Sequence, residues 1–223
     1  ATTEIYTLPL HDALPISHDL HPDYDSSRYA ETLPGVRRVA VQHHHAHLAS
    51  CMAEHGLTGE VLGLIFDGIG YGADGCIWGG EFLAGGYGGY RRFGHFRYVP
   101  MPGGDAATRE PARMALSYLL QAFGAELPPL PVVKAIPAGE RAILLKMIER
   151  GINAPLTSSG GRLFDAVAAM VGLRDKVRYE GQAALVLEMA IEADEGEDPF
   201  DLDDGEGGLI FDPAQRGRAL VAR

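Results

Sequence analysis

The sequence predicts an α/β fold, because a group of short β-type segments comes before a group of helical segments. The β-type segments are separated by short glycine-rich turns, a pattern typical of an antiparallel meander; they are residues 61–66, 76–84 and 91–99. The helical segments carry apolar side chains at helical spacing; they are residues 109–123, 138–150, 160–171 and 182–193. Three strands followed by helices make up half of an α/β lobe.

Composition narrows the class of protein. The net charge of −11 comes mostly from residues 188–206, which hold ten acidic residues and no basic one. We expect this block to be solvated surface or a mobile loop. The sequence has no basic face for nucleic acid and no apolar run near the ~20 residues of a membrane span, so neither partner is expected. Cys51 and Cys76 lack CxxC spacing, which fits a reducing compartment, the cytoplasm.

The region before residue 60 is organised differently. Residues 1–17 have no regular period and resemble the translation of a sequencing-library adapter, so we predict that they are foreign and that the chain is part of a longer protein. Residues 18–34 look like a loop, residues 36–42 a short strand, and residues 44–55 a helix that Gly56 ends. We therefore expect one region over 18–59 and another over 60–223.

The most unusual stretch is VQHHHAHLASCMAEHG, residues 41–56, with four histidines in five positions. On a helix, His43 and His47 lie on one face with Cβ atoms ~6 Å apart, so both imidazoles can reach one cation. Zinc, iron, nickel and copper all accept such ligands. His44 and His45 project in other directions, so we expect them to support the metal ligands or to face a substrate. The alternatives are an inserted tag or histidines hydrogen-bonded in a core, and Cys51 is expected to be a small buried residue.

A second candidate is the glycine-rich stretch at residues 64–82. We expect a strand to end at Asp67, whose carboxylate could hold a metal or its water. Gly68, Gly70 and Gly72 would then form a loop whose backbone N–H groups cradle phosphates. Simple turn geometry explains such glycines equally well.

Two further segments could bind anions or nucleotides. Gly160 and Gly161 precede a helix, where free backbone N–H groups can hold an anion or a ribose. Asp165 in the same helix could favour the helix dipole or bind a sugar hydroxyl. Arg109 could pair with a carboxylate, carbamate or phosphate, although surface ion pairs with nearby glutamates are the alternative.

Together, these segments resemble the C-terminal catalytic region of the HypF carbamoyltransferases of [NiFe]-hydrogenase maturation. The resemblance covers residues 18–212 and rests on DLHPDY (19–24), VQHHHAHLASCMAEHG (41–56), FDGIGYGADGCIWGGEF (66–82), REPARMAL (109–116), SSGGRLFDAVAAMVG (158–172) and YEGQAA (179–184). It implies an actin/Hsp70-like (ASKHA) fold with RNase H-like lobes, of which this chain would hold an incomplete part at both ends.

The resemblance also implies a function. Such proteins use carbamoyl phosphate and ATP to make carbamoyl adenylate, and pass the carbamoyl group to the C-terminal cysteine of a HypE-like acceptor protein. It implies a zinc or iron ion on His43, His47 and Asp67, with Asp67 and Arg109 catalytic. The implied nucleotide-binding residues are Gly68, Gly70, Gly72, Gly160, Gly161 and Asp165.

Three other functions compete with this one. A tRNA threonylcarbamoyl transferase would have a serine-glycine-glycine-histidine loop and a basic face, and a dinuclear metallohydrolase would have an HxHxDH pattern. The third is a metal-binding docking module without catalysis.

Overall fold

The computed structural model describes residues 15–191, 201–205 and 208–213. Its first elements are two parallel strands, β1 (Ile16–Asp19) and β2 (Arg38–Val41), with helix α1 (Asp25–Thr32) between them. The prediction of a loop over 18–34 is therefore wrong. Helix α1 buries only small side chains, Ser27 and Ala30, so the sequence has no apolar period there. Ile16 and Ser17 of the segment predicted to be foreign lie in β1, and residues 1–14 are outside the described residues.

Helix α2 (His43–Glu54) follows β2 directly and carries the histidines. It ends just before His55, with Gly56 at φ 62°, so the predicted helix is confirmed within one residue at each end. Gly56 adopts the left-handed conformation that favours glycine at a helix end.

The predicted meander is confirmed and forms the centre of a second sheet. Strands β3 (Val61–Tyr71), β4 (Ile77–Gly86) and β5 (Gly89–Phe96) pair antiparallel in sequence order. Four short strands extend the sheet: β6 (Val99–Pro100), β7 (Leu156–Thr157), β8 (Asp201–Gly205) and β9 (Gly208–Asp212). The strand order is β6-β7-β4-β5-β9-β8, and β3 pairs with β4. Part of the acidic block is thus a strand, in which Leu202, Asp203 and Asp204 are exposed; residues 192–200 lie outside the described residues.

Six helices follow β6 in the described part of the chain: α3 (Asp105–Arg109), α4 (Pro111–Phe123), α5 (Pro131–Ala135), α6 (Ala138–Arg150), α7 (Gly160–Met170) and α8 (Gln182–Met189). The predicted helix over 109–123 divides at Glu110. This residue precedes Pro111 and leaves the helical region, with φ −125° and ψ 78°. Helix α8 stops at Met189, earlier than predicted. None of the described helices is long and apolar enough to cross a membrane.

Two apolar cores among the described residues hold the helices on the central sheet. The larger core lies where α4 and α7 pack together, and fully buries Met114, Leu119 and Ala166. The smaller core joins α2 to β3 and β4 through Leu48, Met52, Ile65 and Leu83. This smaller core fixes the histidine helix on the central sheet.

Replacing Leu83 by alanine should destabilise the protein by about 2–5 kcal/mol, because Leu83 is completely buried in the smaller core. The matched control is Leu62→Ala on the neighbouring strand, where Leu62 is 75% exposed. That change should cost less than about 1 kcal/mol. Urea unfolding of both variants provides the test, and equal losses would contradict this account of the core.

Candidate metal centre

The start of α2 and the middle of β3 bring three side chains together. His43 and His47 lie one turn apart, with their Nε2 atoms 3.3 Å from each other. Asp67 Oδ2 lies 3.0 Å from Nε2 of His43 and 3.9 Å from Nε2 of His47. One ligand atom from each of the three residues lies within 4.8 Å of the others. The structure thus gathers the three groups that the sequence singled out as metal ligands, and we call them the histidine–aspartate cluster.

A bulge in β3 positions Asp67. The pairing of β3 with β4 is regular at Phe66 and again at Gly70, but three residues of β3 stand opposite Gly79 alone. Such a bulge bends the strand and re-aims its side chains. Ser159 at the start of α7 secures it, since its hydroxyl donates to the carbonyl oxygens of Asp67 at 2.9 Å and Gly68 at 2.7 Å. The start of α7 therefore holds the backbone of the bulge that carries the Asp67 carboxylate.

Asp19 is a site residue to which no sequence pattern assigned a role. It ends β1, and its Oδ2 lies 2.7 Å from Nδ1 of His43. A carboxylate on the far nitrogen of a histidine orients the ring and leaves the other nitrogen for a metal. The available signal was the acidic residue of the DLHPDY segment, but no local pattern pairs residues 24 positions apart.

His44 and His45 differ from each other. His44 is fully buried, and its Nε2 lies 3.8 Å from Asp67 Oδ2. Burial lowers the pKa of His44 to about 4, against the opposing effect of Asp67, so the ring is neutral at neutral pH. The Nε2 of His45 lies 2.7 Å from the carbonyl oxygen of Gly86 and links α2 to the end of β4. His44 therefore faces the cluster, whereas His45 holds the helix in place.

The glycines after Asp67 pack against rings instead of forming the predicted loop. Gly68 and Gly70 lie within β3, and only Gly72 belongs to the turn. A Cβ atom at Gly70 would lie 2.3 Å from Cε1 of His44 and 2.9 Å from Cδ2 of His43. At Gly72 it would lie 2.2 Å from Nε1 of Trp78. The loop prediction is wrong because residues 70 and 71 remain paired with β4, and these two glycines make room for imidazole and indole rings.

The glycines at the start of α7 serve close packing. A Cβ at Gly160 would lie 3.1 Å from the carbonyl oxygen of Gly79, and one at Gly161 would lie 3.0 Å from Cα of Gly68. Asp165 faces the interior, where Arg162 lies 3.2 Å away and both side chains are 3% exposed. Burial and the charge of Glu180 raise the pKa of Asp165, while Arg162 lowers it. The structure therefore places Asp165 in a buried ion pair.

Arg109 lines a cleft and is not one of the three clustered side chains. The cleft has a volume of about 360 Å³, and Arg109, Arg178 and Glu180 are among its lining residues. Glu180 links the cleft to strand β3, because its Oε1 lies 3.0 Å from the position that a Cβ atom on Gly68 would occupy. The cleft thus adjoins the strand that carries Asp67. Cys51, expected to be buried, is exposed at the surface of α2.

Family models match the chain in two parts. Residues 63–223 match the second subdomain of the carbamoyltransferase Kae1-like domain, and residues 7–54 match the HypF Kae1-like domain. The second match begins within the segment predicted to be foreign.

Curated relatives are carbamoyltransferases. Carbamoyltransferase HypF2 of Cupriavidus necator is 46% identical over 184 residues, covering 78% of this chain and 21% of the relative. Carbamoyltransferase HypF of Rhodobacter capsulatus is 44% identical over 214 residues, covering 93% of this chain and 28% of the relative. The chain therefore spans between a fifth and a third of the length of these relatives.

Solved structures resemble the chain closely. A crystal structure of full-length HypF in its phosphate- and nucleotide-bound form superimposes with a TM-score of 0.85 at 37% identity, covering 93% of this chain and 27% of that one. HypF of T. kodakarensis gives a TM-score of 0.78 at 32% identity, covering 92% and 28%. These similarities confirm the predicted α/β fold of the ASKHA type.

Replacing Gly70 by alanine should displace the rings of His43 and His44, because the added Cβ would overlap both. We expect a loss of about 1–3 kcal/mol in the free energy of unfolding and altered NMR signals of both rings. Gly88→Ala is the matched control, since nothing lies within 4 Å of a Cβ there. Unchanged His43 and His44 signals in Gly70→Ala would contradict the packing role of this glycine.

Proposed function

Because this chain belongs to the HypF carbamoyltransferase family, we propose that it carries the site at which a carbamoyl group is transferred to a thiol. The donor would be carbamoyl adenylate, made from carbamoyl phosphate and ATP, and the acceptor would be the C-terminal cysteine of a HypE-like protein. The convergence of His43, His47 and Asp67 beside a cleft is the observation that carries this proposal. The relatives named carbamoyltransferases support it, as does the similarity to full-length HypF in its phosphate- and nucleotide-bound form.

We further propose that the histidine–aspartate cluster holds a divalent metal ion, zinc or iron. Two imidazole nitrogens and one carboxylate oxygen form a ligand set that both ions accept. Asp67 Oδ2 is shielded from solvent and lies 3.0 Å from Nε2 of His43, so a bound ion would take the place of that direct contact. The three ligands that the described residues supply are fewer than the four of a closed structural site, so a substrate oxygen or a further ligand can complete the coordination. Such an ion, when bound, supplies a Lewis acid that offsets negative charge on a substrate oxygen.

The transfer itself needs no nucleophile from this chain. The acceptor thiolate would attack the carbamoyl carbon, forming a carbon–sulfur bond. The bond between that carbon and the phosphate oxygen would break, AMP would leave with the electron pair, and the thiol proton would pass to solvent. This assignment fits the structure, because Cys51 lies on the exposed surface of α2 and burial raises the pKa of Cys76, which disfavours its thiolate.

The cleft is the proposed place for the phosphate and nucleotide parts of the donor. Neither Arg109 nor Arg178 forms an ion pair with another described residue, so both guanidinium groups are free to bind phosphate. Gly68 and Gly161 pack together next to Glu180 on the cleft, and of the proposed nucleotide-binding glycines these two are the best placed. Because ATP and reduced thiols coexist in the cytoplasm, we propose that location.

Zinc should bind the chain and stabilise it. At a free zinc concentration of 100 times Kd, the free energy of unfolding should rise by about 2.7 kcal/mol, and a chelator should reverse the gain. His43→Ala and His47→Ala should each abolish this effect. His55→Ala, at the exposed end of α2, is the matched control. Thermal unfolding with and without zinc measures the effect, and full stabilisation of His43→Ala would exclude the proposed ligands.

Asp67→Asn should lower the transfer rate by about 100-fold or more, because it removes the charged carboxylate that would hold the metal ion, the proposed Lewis acid. The measurement is thiol-dependent release of AMP from carbamoyl adenylate by a full-length HypF carbamoyltransferase in which this segment replaces the matching one. Asp23→Asn at an exposed position is the control. If the unmutated protein binds zinc but releases no AMP, the segment is a metal-binding docking module instead.

A further inference from the structure

We propose that His44 donates a hydrogen bond through Nε2 to the substrate oxygen bound at the histidine–aspartate cluster, and that Gln42 fixes the tautomer that makes this possible. The substrate oxygen belongs to a carbonyl or phosphoryl group. This inference deepens the proposed function and rests on it. A chain of hydrogen bonds that leads from the backbone of α2 to the ring of His44 supports it.

The orientation of the Gln42 amide is the first step. Gln42 is the N-cap of α2, and the backbone N–H of His45 donates to its side chain at 2.9 Å. A backbone N–H can only donate, so the atom that receives it must be Oε1. The other end of the amide is therefore the NH₂ group. It donates to the carbonyl oxygen of Tyr71 at 3.1 Å and lies 3.2 Å from Nδ1 of His44.

The tautomer of His44 follows from that orientation. An amide NH₂ group has no lone pair to offer, so Nδ1 of His44 must be the acceptor. The proton of the neutral ring then resides on Nε2. His43 has the opposite arrangement, because Asp19 accepts from its Nδ1 and leaves its Nε2 for the cluster. Nε2 of His44 would thus be a hydrogen-bond donor and Nε2 of His43 a metal ligand, and both lie at the histidine–aspartate cluster.

The Nε2–H group of His44 faces the cluster without a partner. His44 has no exposed surface, and its Nε2 makes no hydrogen bond. Asp67 Oδ2 lies 3.8 Å away, which is beyond hydrogen-bonding distance. Buried donors are almost always paired in folded proteins, so an unpaired one beside a candidate site points to a partner that the chain itself does not supply. A fixed, neutral donor at this position would stabilise negative charge that develops on a carbonyl or phosphoryl oxygen.

Gln42→Glu provides the sharpest test. A glutamate can still accept from His45, but its second oxygen would accept where the amide had donated. The proton of His44 should then move to Nδ1. Nitrogen-15 NMR of histidine-labelled, metal-free chain should show Nε2 protonated in the unmutated protein and Nδ1 protonated in Gln42→Glu. Protonated Nδ1 in the unmutated protein would overturn the proposal.

A second pair of variants separates donation from packing. In the full-length HypF protein carrying this segment, His44→Met should lower thiol-dependent AMP release by about 10–100-fold, because it fills the space without a donor. His44→Gln places an NH₂ group near the same position and should restore part of the rate. Zinc affinity should change by less than about threefold in both. His45→Gln serves as the control, since His45 bonds to Gly86.

The outcomes distinguish this inference from the function on which it rests. Absence of zinc binding and of AMP release in the unmutated protein would refute the proposed function. Normal zinc binding and AMP release, combined with equal rates in His44→Met and His44→Gln, would refute the role of His44 alone.

Discussion

The structure of the site depends on the close approach of α2 to β3, which brings Nε2 of His43 within 3.0 Å of the Asp67 carboxylate. Two features permit it. Gly70 has no side chain where the rings of His43 and His44 lie, and the bulge before it re-aims Asp67. The smaller apolar core then holds the helix at this distance. A larger residue at position 70 or a regular strand would separate the two groups.

The two serines before α7 connect this site to the rest of the sheet. Ser159 bonds to the bulge, whereas Ser158 donates to the buried carboxylate of Glu81 at 2.6 Å. Glu81 also accepts from the backbone of Gly79 and is paired with Arg92. Removing one member of such a buried network leaves an unpaired polar group, which is costly. The network therefore fixes β4 and the start of α7 relative to Asp67.

Polar neighbours then assign different roles to chemically identical rings. Asp19 leaves Nε2 of His43 free, while the amide of Gln42 directs the proton of His44 towards the cluster. His45 is occupied by Gly86. A run of histidines thus contains a proposed metal ligand, a proposed hydrogen-bond donor and a structural residue. The differences come from what each ring contacts, and the sequence of the run does not display them.

The sequence by itself determined the meander, most of the later helices, and the pair of histidines one turn apart, because turn glycines and helical spacing are local properties. It also singled out Asp67, although it placed this residue at the end of a strand that in fact continues to Tyr71. Only the tertiary structure decided that Asp19 and Gln42 orient the rings, that Gly70 and Gly72 make room for side chains, and that Asp165 is buried beside Arg162. Those contacts join residues that the fold brings together from different elements, and no local period of the chain encodes their distances.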